Sequence, residues 1–399
     1  MEPVRPPPYP SPQAGEGRVG AVPFYRDPTL RGLVVQALLC VAIGLLAYGA
    51  YINLKRRNLA SGFDFLNFTA GFDISQTLID YSVNSSTNGD VFWVGLLNTL
   101  LVAGIGIVLA TAIGLVVGIA RLSKNFLAER LATSYVELIR NVPLLLQLLF
   151  WYNAVLKALP EMAMSLVLPG GVILNNRGLF TPRPLFADGW QIAGVLAAAV
   201  ASAVVFNVVT GRIERLQRAF ATRFAGTLSI VIGLPAAVFF AAGAQLAFDY
   251  PEVGRFNVRG GAELLPELVA LLLGLSIYTA AFIAEVVRAG LKSVSPGQIE
   301  AAQALGLGRM QTLRLVVIPQ AMRVIIPPLT SQYLNLTKNS TLAVAIGYPD
   351  LVQVLGTVEN NAGHTVEVVA ITMAVYLSFS LITSLVMNAY NRRYAVVER

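Results

Sequence analysis

The stretch 327–346 places polar side chains on one face of an otherwise apolar segment. Gln332, Asn335 and Asn339 share this face at helical spacing, and Ser331 and Lys338 lie beside them. Polar groups in lipid are costly unless they meet protein or water, so this face could form a wall of a translocation path in which Lys338 attracts a substrate carboxylate. A structural role is equally open, with interhelical hydrogen bonds and a lysine that snorkels or forms an ion pair. Further candidate path residues are Asn98, Gln147, Tyr278 and Ser340, and core packing is an equal alternative for Tyr278.

Two pairs of opposite charges lie at helical spacing. Glu137, Arg140 and Asn141 share a face, and we expect Glu137 and Arg140 to pair with each other or with a neighbouring subunit near the membrane boundary. Direct contact with the substrate is the alternative. Glu285 and Arg288 are three residues apart near the end of a span, which predicts a helix-end salt bridge.

No constellation for catalysis or metal binding is present. Cys40 is the only cysteine and His364 the only histidine, so an intrachain disulfide and a His-based metal cluster within one chain are excluded. The chain contains no GxxxxGK[ST] phosphate loop, which excludes ATP binding by that mechanism. We therefore predict a chain that is not an enzyme and holds no cofactor. If the chain forms a translocation path, the energy for transport must come from another subunit.

A polar connection between two apolar segments predicts a pair of short helices joined by a sharp turn. Ser295 is a candidate N-cap residue, Pro296 suits the first helical position, and Gln298 would complete a capping box. Gly306 can adopt the left-handed conformation that closes the first helix. The second helix is expected to end before Pro319, and the pair Pro327-Pro328 is expected to interrupt the next one.

This connection, at 295–319, resembles the EAA loop of bacterial ABC-importer permeases. The family pattern is EAA, three residues, Gly, nine residues, Ile, one residue and Leu-Pro. The matching residues are Glu300, Ala301, Ala302, Gly306 and Pro319, with Leu307 after the glycine and Val316 and Ile318 as conservative replacements. The resemblance implies a loop that faces the cytoplasm and docks into a groove on a separate ATPase subunit, which carries ATP and Mg. An ordinary amphipathic loop helix is the alternative.

Two further stretches resemble permeases of the polar amino-acid (histidine/glutamine-type) uptake family. They are YVELIRNVPLLLQLLF at 135–150 and YLNLTKNSTLAVAIG at 333–347. The extra spans outside this core resemble the longer permeases of general L-amino acid transporters, whose near relatives take up glutamate, glutamine and aspartate. The resemblance implies polar L-amino acids as substrates and a periplasmic or extracellular amino-acid-binding protein as partner. It also implies a homologous second permease subunit, with a heterodimer favoured over a homodimer.

Composition places the chain in a lipid bilayer. Hydrophobic residues make up 55% of the chain and charged residues only 13%, whereas soluble domains carry about 25% charged residues. We predict an all-α polytopic membrane protein with about eight transmembrane helices, and the resemblance implies the type I ABC-importer permease fold. The predicted spans are 32–52, 91–120, 135–158, 189–209, 225–248, 264–289, 321–345 and 366–389. The net charge of +7 fits basic cytoplasmic loops better than nucleic-acid binding.

The chain divides into five predicted regions. They are a disordered cytoplasmic tail at 1–31, an extra first span and external loop at 32–90, a first core part at 91–158, an insertion with two extra spans at 159–261, and a second core part at 262–395. The external loop 159–188 is rich in Gly, Pro and Asn and is expected to be irregular. Basic clusters fall on one side of the eight spans, which predicts that both termini lie in the cytoplasm. The resemblance implies a multi-pass protein of the bacterial cytoplasmic (inner) membrane.

The main interpretation is a permease subunit of an ATP-driven importer of polar L-amino acids. It would form the translocation path with a second permease and couple to an ATPase dimer through the EAA loop. An ion-coupled secondary transporter is one alternative, but it would need mid-membrane carboxylates and paired broken helices, which the sequence does not clearly contain. A non-transport membrane scaffold is another, but it leaves the polar face of 327–346 unexplained.

Overall fold

The computed structural model describes most of the chain. The described residues are 28–56, 62–185, 247–254 and 257–394, together with isolated positions between 198 and 233. The predicted spans 189–209 and 225–248 lie almost wholly outside the described residues, as do most of the predicted tail at 1–31 and residues 395–399.

Helices form the greater part of the described chain. They are α1 (Pro28–Arg56), α2 (Asn88–Ala120), α3 (Phe126–Asn141), α4 (Leu144–Leu149), α5 (Pro266–Lys292), α6 (Pro296–Ala304), α7 (Arg309–Thr312), α8 (Ile318–Asn339), α9 (Leu351–Ala362) and α10 (Thr365–Tyr394). Short 3-10 helices lie at Asp64–Asn67, Met162–Met164 and Ser340–Ile346, and π-helical turns lie at Phe150–Leu156, Ser229–Gly233 and Leu313–Val317.

Four helical segments of the described chain are long and apolar enough to cross a membrane. They are Asn88–Ala120, Pro266–Lys292, Arg309–Ile346 and Thr365–Asn388. They coincide with four of the predicted spans, and the predicted class of a mainly helical polytopic membrane protein is confirmed. The 29-residue helix α1 contains the predicted first span at 32–52.

The predicted span 135–158 is not one continuous helix. α3 ends just before Pro143, which is the N-cap residue of α4, and α4 passes directly into a π-helical turn. Proline has no N–H to offer the carbonyl four residues earlier, which belongs to Ile139. The side chain of Gln147 compensates, because its Nε2 donates to the carbonyl oxygens of Ile139 and Val142 at 2.9 and 3.0 Å. The break is therefore a satisfied part of the fold.

The helix that was expected to end before Pro319, and the one that was expected to be interrupted at Pro327-Pro328, form one continuous helical segment at Arg309–Ile346. Both predictions are therefore wrong. The π-helical turn before α8 shifts the hydrogen-bond register, with Ile318 N donating to the carbonyl of Leu313. Pro319 then falls in the first turn of α8, where a missing N–H is tolerated. Pro327 and Pro328 lie inside α8. Membrane helices tolerate such prolines because neighbouring helices and side chains compensate for the lost hydrogen bonds.

Among the four spans of the described chain, α5 is the most buried. Of the most apolar part of α5 56% is buried, against 28% for α2 and 6% for α10. Glycines of α2 allow this close packing, because a Cβ atom on Gly114 would lie 2.6 Å from Ile283 Cγ2 and one on Gly118 would lie 2.8 Å from Val287 Cβ. The contact moves forward by four residues on both helices, from Gly114 and Ile283 to Gly118 and Val287. α2 and α5 therefore run parallel. The bundle is thus built on a tight, parallel α2–α5 pair.

The bundle has two ends, which we name by what they carry. The loop end carries the connection between α5 and α7, and the sheet end carries the strands that precede α5. α2 and α5 run from the sheet end to the loop end. α8 runs back, since Ile325 packs against Gly290 near the loop end of α5, and Leu336 packs against Gly106 farther toward the sheet end.

Short strands occupy the segment that was expected to be an irregular loop at 159–188, so that prediction is wrong. Of the described strands, four lie in this segment, β1 (Leu166–Leu168), β2 (Val172–Asn175), β3 (Gly178–Thr181) and β4 (Arg183–Leu185). Four more precede α5, namely β5 (Ala247–Asp249), β6 (Glu252–Val253), β7 (Val258–Arg259) and β8 (Ala262–Leu264). An antiparallel sheet has the order β1-β2-β3-β8, and β4–β5 and β6–β7 pair separately. Burial alternates along β2 and β3, which places Ile173 and Phe180 in a small core.

Candidate functional site

The connection between α5 and α7 is a short helix closed by a left-handed turn. α6 has Ser295 as its N-cap residue and Pro296 in its first turn, as predicted. At its end the backbone N–H of Leu307 donates to the carbonyl of Ala302 at 3.1 Å, the six-to-one hydrogen bond of a Schellman motif. Gly306 has the required left-handed conformation, with φ +76°, so the predicted turn is confirmed.

The capping box predicted at the start of α6 is wrong. The side chain of Ser295 makes no cap hydrogen bond. Gln298 Oε1 instead accepts from Gln320 Nε2 of α8 at 3.3 Å, which ties α6 to the following span. An amide does cap α7, since Gln311 Oε1 accepts from Gly308 N at 2.9 Å. The capping chemistry therefore fixes the turn between the helices rather than the start of the first.

The loop presents a carboxylate among apolar side chains. Of the predicted coupling residues, Glu300, Ala301, Gly306 and Pro319 are exposed, Leu307 is half-buried and Ala302 is buried. Leu305, Met310 and Leu315 are 80%, 58% and 60% exposed. Exposed apolar side chains next to charged ones are typical of a docking surface. The structure thus places Glu300, Ala301 and Ala302 on α6 and Gly306 and Leu307 in the turn that follows, whereas Pro319 lies in the first turn of α8.

The polar face predicted on α8 is formed, and part of it is exposed. Ser331, Asn335 and Lys338 are exposed at spacings of four and three residues, which aligns them along the helix. Gln332 and Asn339 are half-buried at the margin of this face. Within the described part of the chain, no hydrogen bond or ion pair engages the side chains of Gln332, Asn335, Lys338 and Asn339. The face is therefore open to a partner or to a solute.

A tight turn after α8 is held against α2. The 3-10 helix that follows α8 ends at Gly347, with φ +77°, and Asp350 caps α9 by accepting a backbone N–H at 2.8 Å. Asn98 of α2 is fully buried and donates from Nδ2 to the carbonyl of Pro349 at 2.9 Å. Thr99 Oγ1 accepts from the first backbone N–H of α9 at 3.0 Å. The polar pair of α2 thus anchors the turn.

Three other predicted path residues also point into the protein. Gln147 is buried and bridges the break before α4. Ser340 is fully buried, and its Oγ donates to the carbonyl of Thr337 at 2.8 Å. Tyr278 is half-buried, with its ring 5.0 Å from the ring of Phe282. The structure separates these residues, together with Asn98, from the exposed face of α8.

A charged groove lies between α2, α3 and α5 toward the loop end. Its cavity of about 430 Å³ is lined by Arg121, Val136, Glu137, Arg140, Asn141, Phe282 and Glu285. Glu285 accepts from Arg121 and from Arg288, which confirms the predicted pair with Arg288. An intrachain pair of Glu137 with Arg140 is not formed. The guanidinium of Arg140 lies instead over the ring of Phe282, 5.0 Å from its centroid.

Sequence reasoning missed the long-range partners in this groove. Arg121 is 164 positions from Glu285, and Arg140 meets Phe282 on another helix, so spacing along one helix could not find either contact.

Asp350, the cap of α9, was also missed, although it had a local signal. It follows a glycine and a proline and precedes an apolar helical run, which is typical of a helix N-cap.

Comparison with known proteins places these features in a family. The sequence pattern described as "Binding-protein-dependent transport system inner membrane component" matches residues 226–396. The general L-amino acid transport system permease protein AapQ of Rhizobium johnstonii is 48% identical over 94% of this chain and 94% of its own. The glutamate/glutamine/aspartate/asparagine transport system permease protein BztB of Rhodobacter capsulatus is 39% identical over 94% of this chain and 95% of its own. The glutamate/aspartate import permease protein GltJ of Escherichia coli K12 is 40% identical over 33% of this chain and 55% of its own.

The chain belongs to the family of binding-protein-dependent transport system permeases, the membrane components of ABC importers. The similarity to AapQ and BztB extends over almost the whole chain and so includes the region of the predicted extra spans, whereas the similarity to GltJ covers one third of it. The family also explains why the apolar helices accompany an exposed loop with the EAA pattern.

Proposed function

We propose that this chain is a permease subunit of an ATP-driven importer of polar L-amino acids. The observation that carries the proposal is the near full-length similarity to AapQ, a permease of general L-amino acid transport, at 48% identity. The similarity to BztB supports glutamate, glutamine, aspartate and asparagine as the nearest substrate range. The exposed EAA loop fits a subunit that receives its driving energy from another chain.

The coupling element of this importer is the loop between α5 and α8. Glu300 and the exposed apolar residues around it would dock on an ATPase dimer, which would hold ATP and Mg. Ala301 and Ala302 keep the helix narrow at the contact, Gly306 and Leu307 set the turn, and Pro319 begins the span that the loop would move. ATP binding by the motor could then bias the bundle between two conformations.

The exposed polar face of α8 supports a path at an interface with a second permease. Gln332, Asn335, Lys338 and Asn339 offer amides and one ammonium group, and a single chain does not close over them. We favour a shorter homologous permease as the partner, since such relatives exist: the match to GltJ covers 33% of this chain but 55% of GltJ. Lys338 would attract the carboxylate of the substrate.

The orientation follows from the charges at the two ends of the bundle. Basic residues gather at the loop end, which we place in the cytoplasm together with both termini. The sheet end would then face the periplasmic or extracellular binding protein that delivers the substrate. The membrane is the bacterial cytoplasmic membrane in this proposal.

Reconstitution tests the proposal. The chain would be purified with its associated chains and placed in proteoliposomes with ATP inside and the binding protein outside. We expect uptake of radiolabelled L-glutamine and L-glutamate that requires both ATP and the binding protein. Uptake driven by an ion gradient without ATP, or a lack of amino-acid uptake in a complex that hydrolyses ATP, would contradict it.

A further inference from the structure

The charged groove between α2, α3 and α5 contains two oppositely charged side chains that form no ion pair within the described residues. The carboxylate of Glu285 is already matched by two guanidinium groups, those of Arg121 and Arg288. Glu137 and Arg140 line the same cavity, and neither forms an ion pair within the described residues. A carboxylate and a guanidinium on neighbouring turns of one helix usually pair with each other. Here the ring of Phe282 holds the guanidinium of Arg140 away, 5.0 Å from its centroid.

Tightly packed side chains of α3 and α5 form the floor of the groove. Val136 is 1% exposed and packs with Ala281 and Ala284, both fully buried, so the helices beneath the groove are fixed against each other. The volume of about 430 Å³ lies in the range of small-molecule sites. It exceeds what the charged end of one amino acid needs, which leaves room for side chains of different length.

The groove side of α3 differs from the side that suits lipid. Leu127, Leu131 and Leu138 are each more than 60% exposed and form an apolar stripe along α3. Glu137 and Arg140 lie on the other exposed side of the helix, toward the cavity. Charged side chains in a membrane bundle face protein or water rather than hydrocarbon. The groove therefore provides a polar compartment at the loop end of the bundle.

We propose that this groove binds the zwitterionic end of an α-amino acid, with Arg140 taking the carboxylate and Glu137 taking the ammonium group. Asn141, on the same face and without a hydrogen bond within the described residues, offers an amide for the polar atoms that remain. The wall formed by Arg121 and Glu285 is polar and carries both signs of charge, so it offers hydrogen-bonding groups to polar side chains of different kinds. Recognition of the shared zwitterion rather than of the side chain gives a broad substrate range.

The position of the groove assigns it a step in transport. Glu285 lies seven residues before the end of α5, about 10 Å along the helix from the coupling loop. A site at this depth would hold the amino acid after it has passed the polar face of α8 and before its release. The inference rests on the proposed function, because it requires amino acids as the transported solute.

Competition binding tests the two assigned contacts separately. The purified permease complex, without binding protein, would be equilibrated with radiolabelled L-glutamine. N-acetyl-L-glutamine, which lacks the ammonium group, and 4-aminobutanamide, which lacks the carboxylate, would compete. We expect the native complex to prefer L-glutamine over each analogue by about tenfold or more, as charge-assisted contacts allow. Glu137→Gln should lose the preference over the N-acetyl analogue alone, and Arg140→Gln the preference over 4-aminobutanamide alone.

Matched controls lie on the same helix outside the cavity. Glu129→Gln and Arg130→Gln remove the same charges from α3, and we expect both preferences to persist in these variants. If Glu137→Gln and Arg140→Gln also retain both preferences, the groove is not the site. If either variant releases the second permease from the complex, the two charges serve the subunit interface and the inference fails. A native complex that imports L-glutamine with ATP but does not bind it here contradicts only this inference, whereas one that imports no amino acid contradicts the proposed function.

Discussion

Lys338 is the residue for which charge and position make the sharpest prediction. It is exposed on α8 and makes no ion pair within the described chain, so its ammonium group can act on a passing carboxylate. Lys338→Ala should lower uptake of labelled L-glutamate at low concentration by about tenfold, since hydrogen bonds to charged groups contribute about 1.5–3 kcal/mol. Lys124→Ala, an exposed lysine at the loop end, is the control and should leave uptake unchanged. Equal uptake by both variants would make Lys338 a structural residue.

Glu285 supports a prediction about stability rather than transport. Its carboxylate accepts from Arg121, only 12% exposed, and from Arg288, so removing the charge leaves two guanidinium groups without their partner. Glu285→Gln should destabilise the purified chain by about 2 kcal/mol, because breaking a partly buried pair costs more than losing a surface pair. Glu129→Gln weakens the exposed contact with Arg130 and should change the thermal unfolding temperature little. Equal unfolding temperatures for the two variants would show that the Glu285 cluster is energetically a surface cluster.

The same i,i+3 spacing gave one confirmed pair and one pair that does not form, which marks the limit of local reasoning at the residue scale. Glu285 and Arg288 meet, and Arg121 joins them from the end of α2. Arg140 has a competitor, Phe282, which is supplied by another helix. The contact of Gln147 was also out of reach of local reasoning. Pro143 leaves the carbonyl of Ile139 without its helical donor, and the side-chain amide of Gln147 donates to that carbonyl only in the folded chain.

The coupling loop is the element whose turn should respond most to a single substitution. Gly306 has φ +76°, and a Cβ atom added to it would meet no other atom within 4 Å, so conformation alone decides what the position tolerates. Gly306→Val should strain the turn by about 1–2 kcal/mol, because a residue with a Cβ atom resists the left-handed region. We expect weaker ATPase binding and a lower substrate-stimulated ATP hydrolysis in reconstituted complexes.

Gly297 of the same helix provides the control for this prediction. It also has no atom within 4 Å of an added Cβ, but its φ lies outside the left-handed region. Gly297→Val should therefore retain ATPase attachment and uptake. If Gly306→Val retains both as fully as Gly297→Val does, the turn geometry is not part of the coupling.

Elements with local causes were predictable from the sequence, and elements with remote causes were not. α6 begins at Pro296 and is closed by the left-handed turn at Gly306, two residues that are close together in sequence. The passage of α8 through Pro327 and Pro328 depends on a helix bundle around it, which single-sequence rules do not include. The strands at the sheet end have only two to four residues each and pair β3 with β8 across a long insertion, so their pattern is too short to identify.

At the scale of the whole molecule, hydropathy located four of the eight predicted spans as long helices of the described chain, and charge should be sufficient to orient them. These four spans could be predicted because a helix that crosses a bilayer needs about 20 consecutive apolar residues, and such runs are visible in the sequence. The asymmetry between the ends is equally direct. The loop end carries Arg121, Lys124, Arg130, Lys292, Arg309 and Arg314. The other end carries Asp64, Asp73 and Asp80 in the segment before α2, and Asp90 in the first turn of α2.

The positive-inside rule then predicts that the loop end lies in the cytoplasm. Single cysteines would be placed at exposed positions of the two ends, Glu300→Cys in the coupling loop and Val167→Cys in β1, where Val167 is 69% exposed. Cys40 is exposed and would first be replaced by alanine. In intact cells whose outer membrane is permeabilised, a membrane-impermeant maleimide should label the cysteine at position 167. The cysteine at position 300 should react only after the inner membrane is opened. The reverse pattern would invert the molecule in the membrane, and since the ATPase and its ATP are cytoplasmic in the proposed importer, it would also remove the EAA loop from reach of the motor.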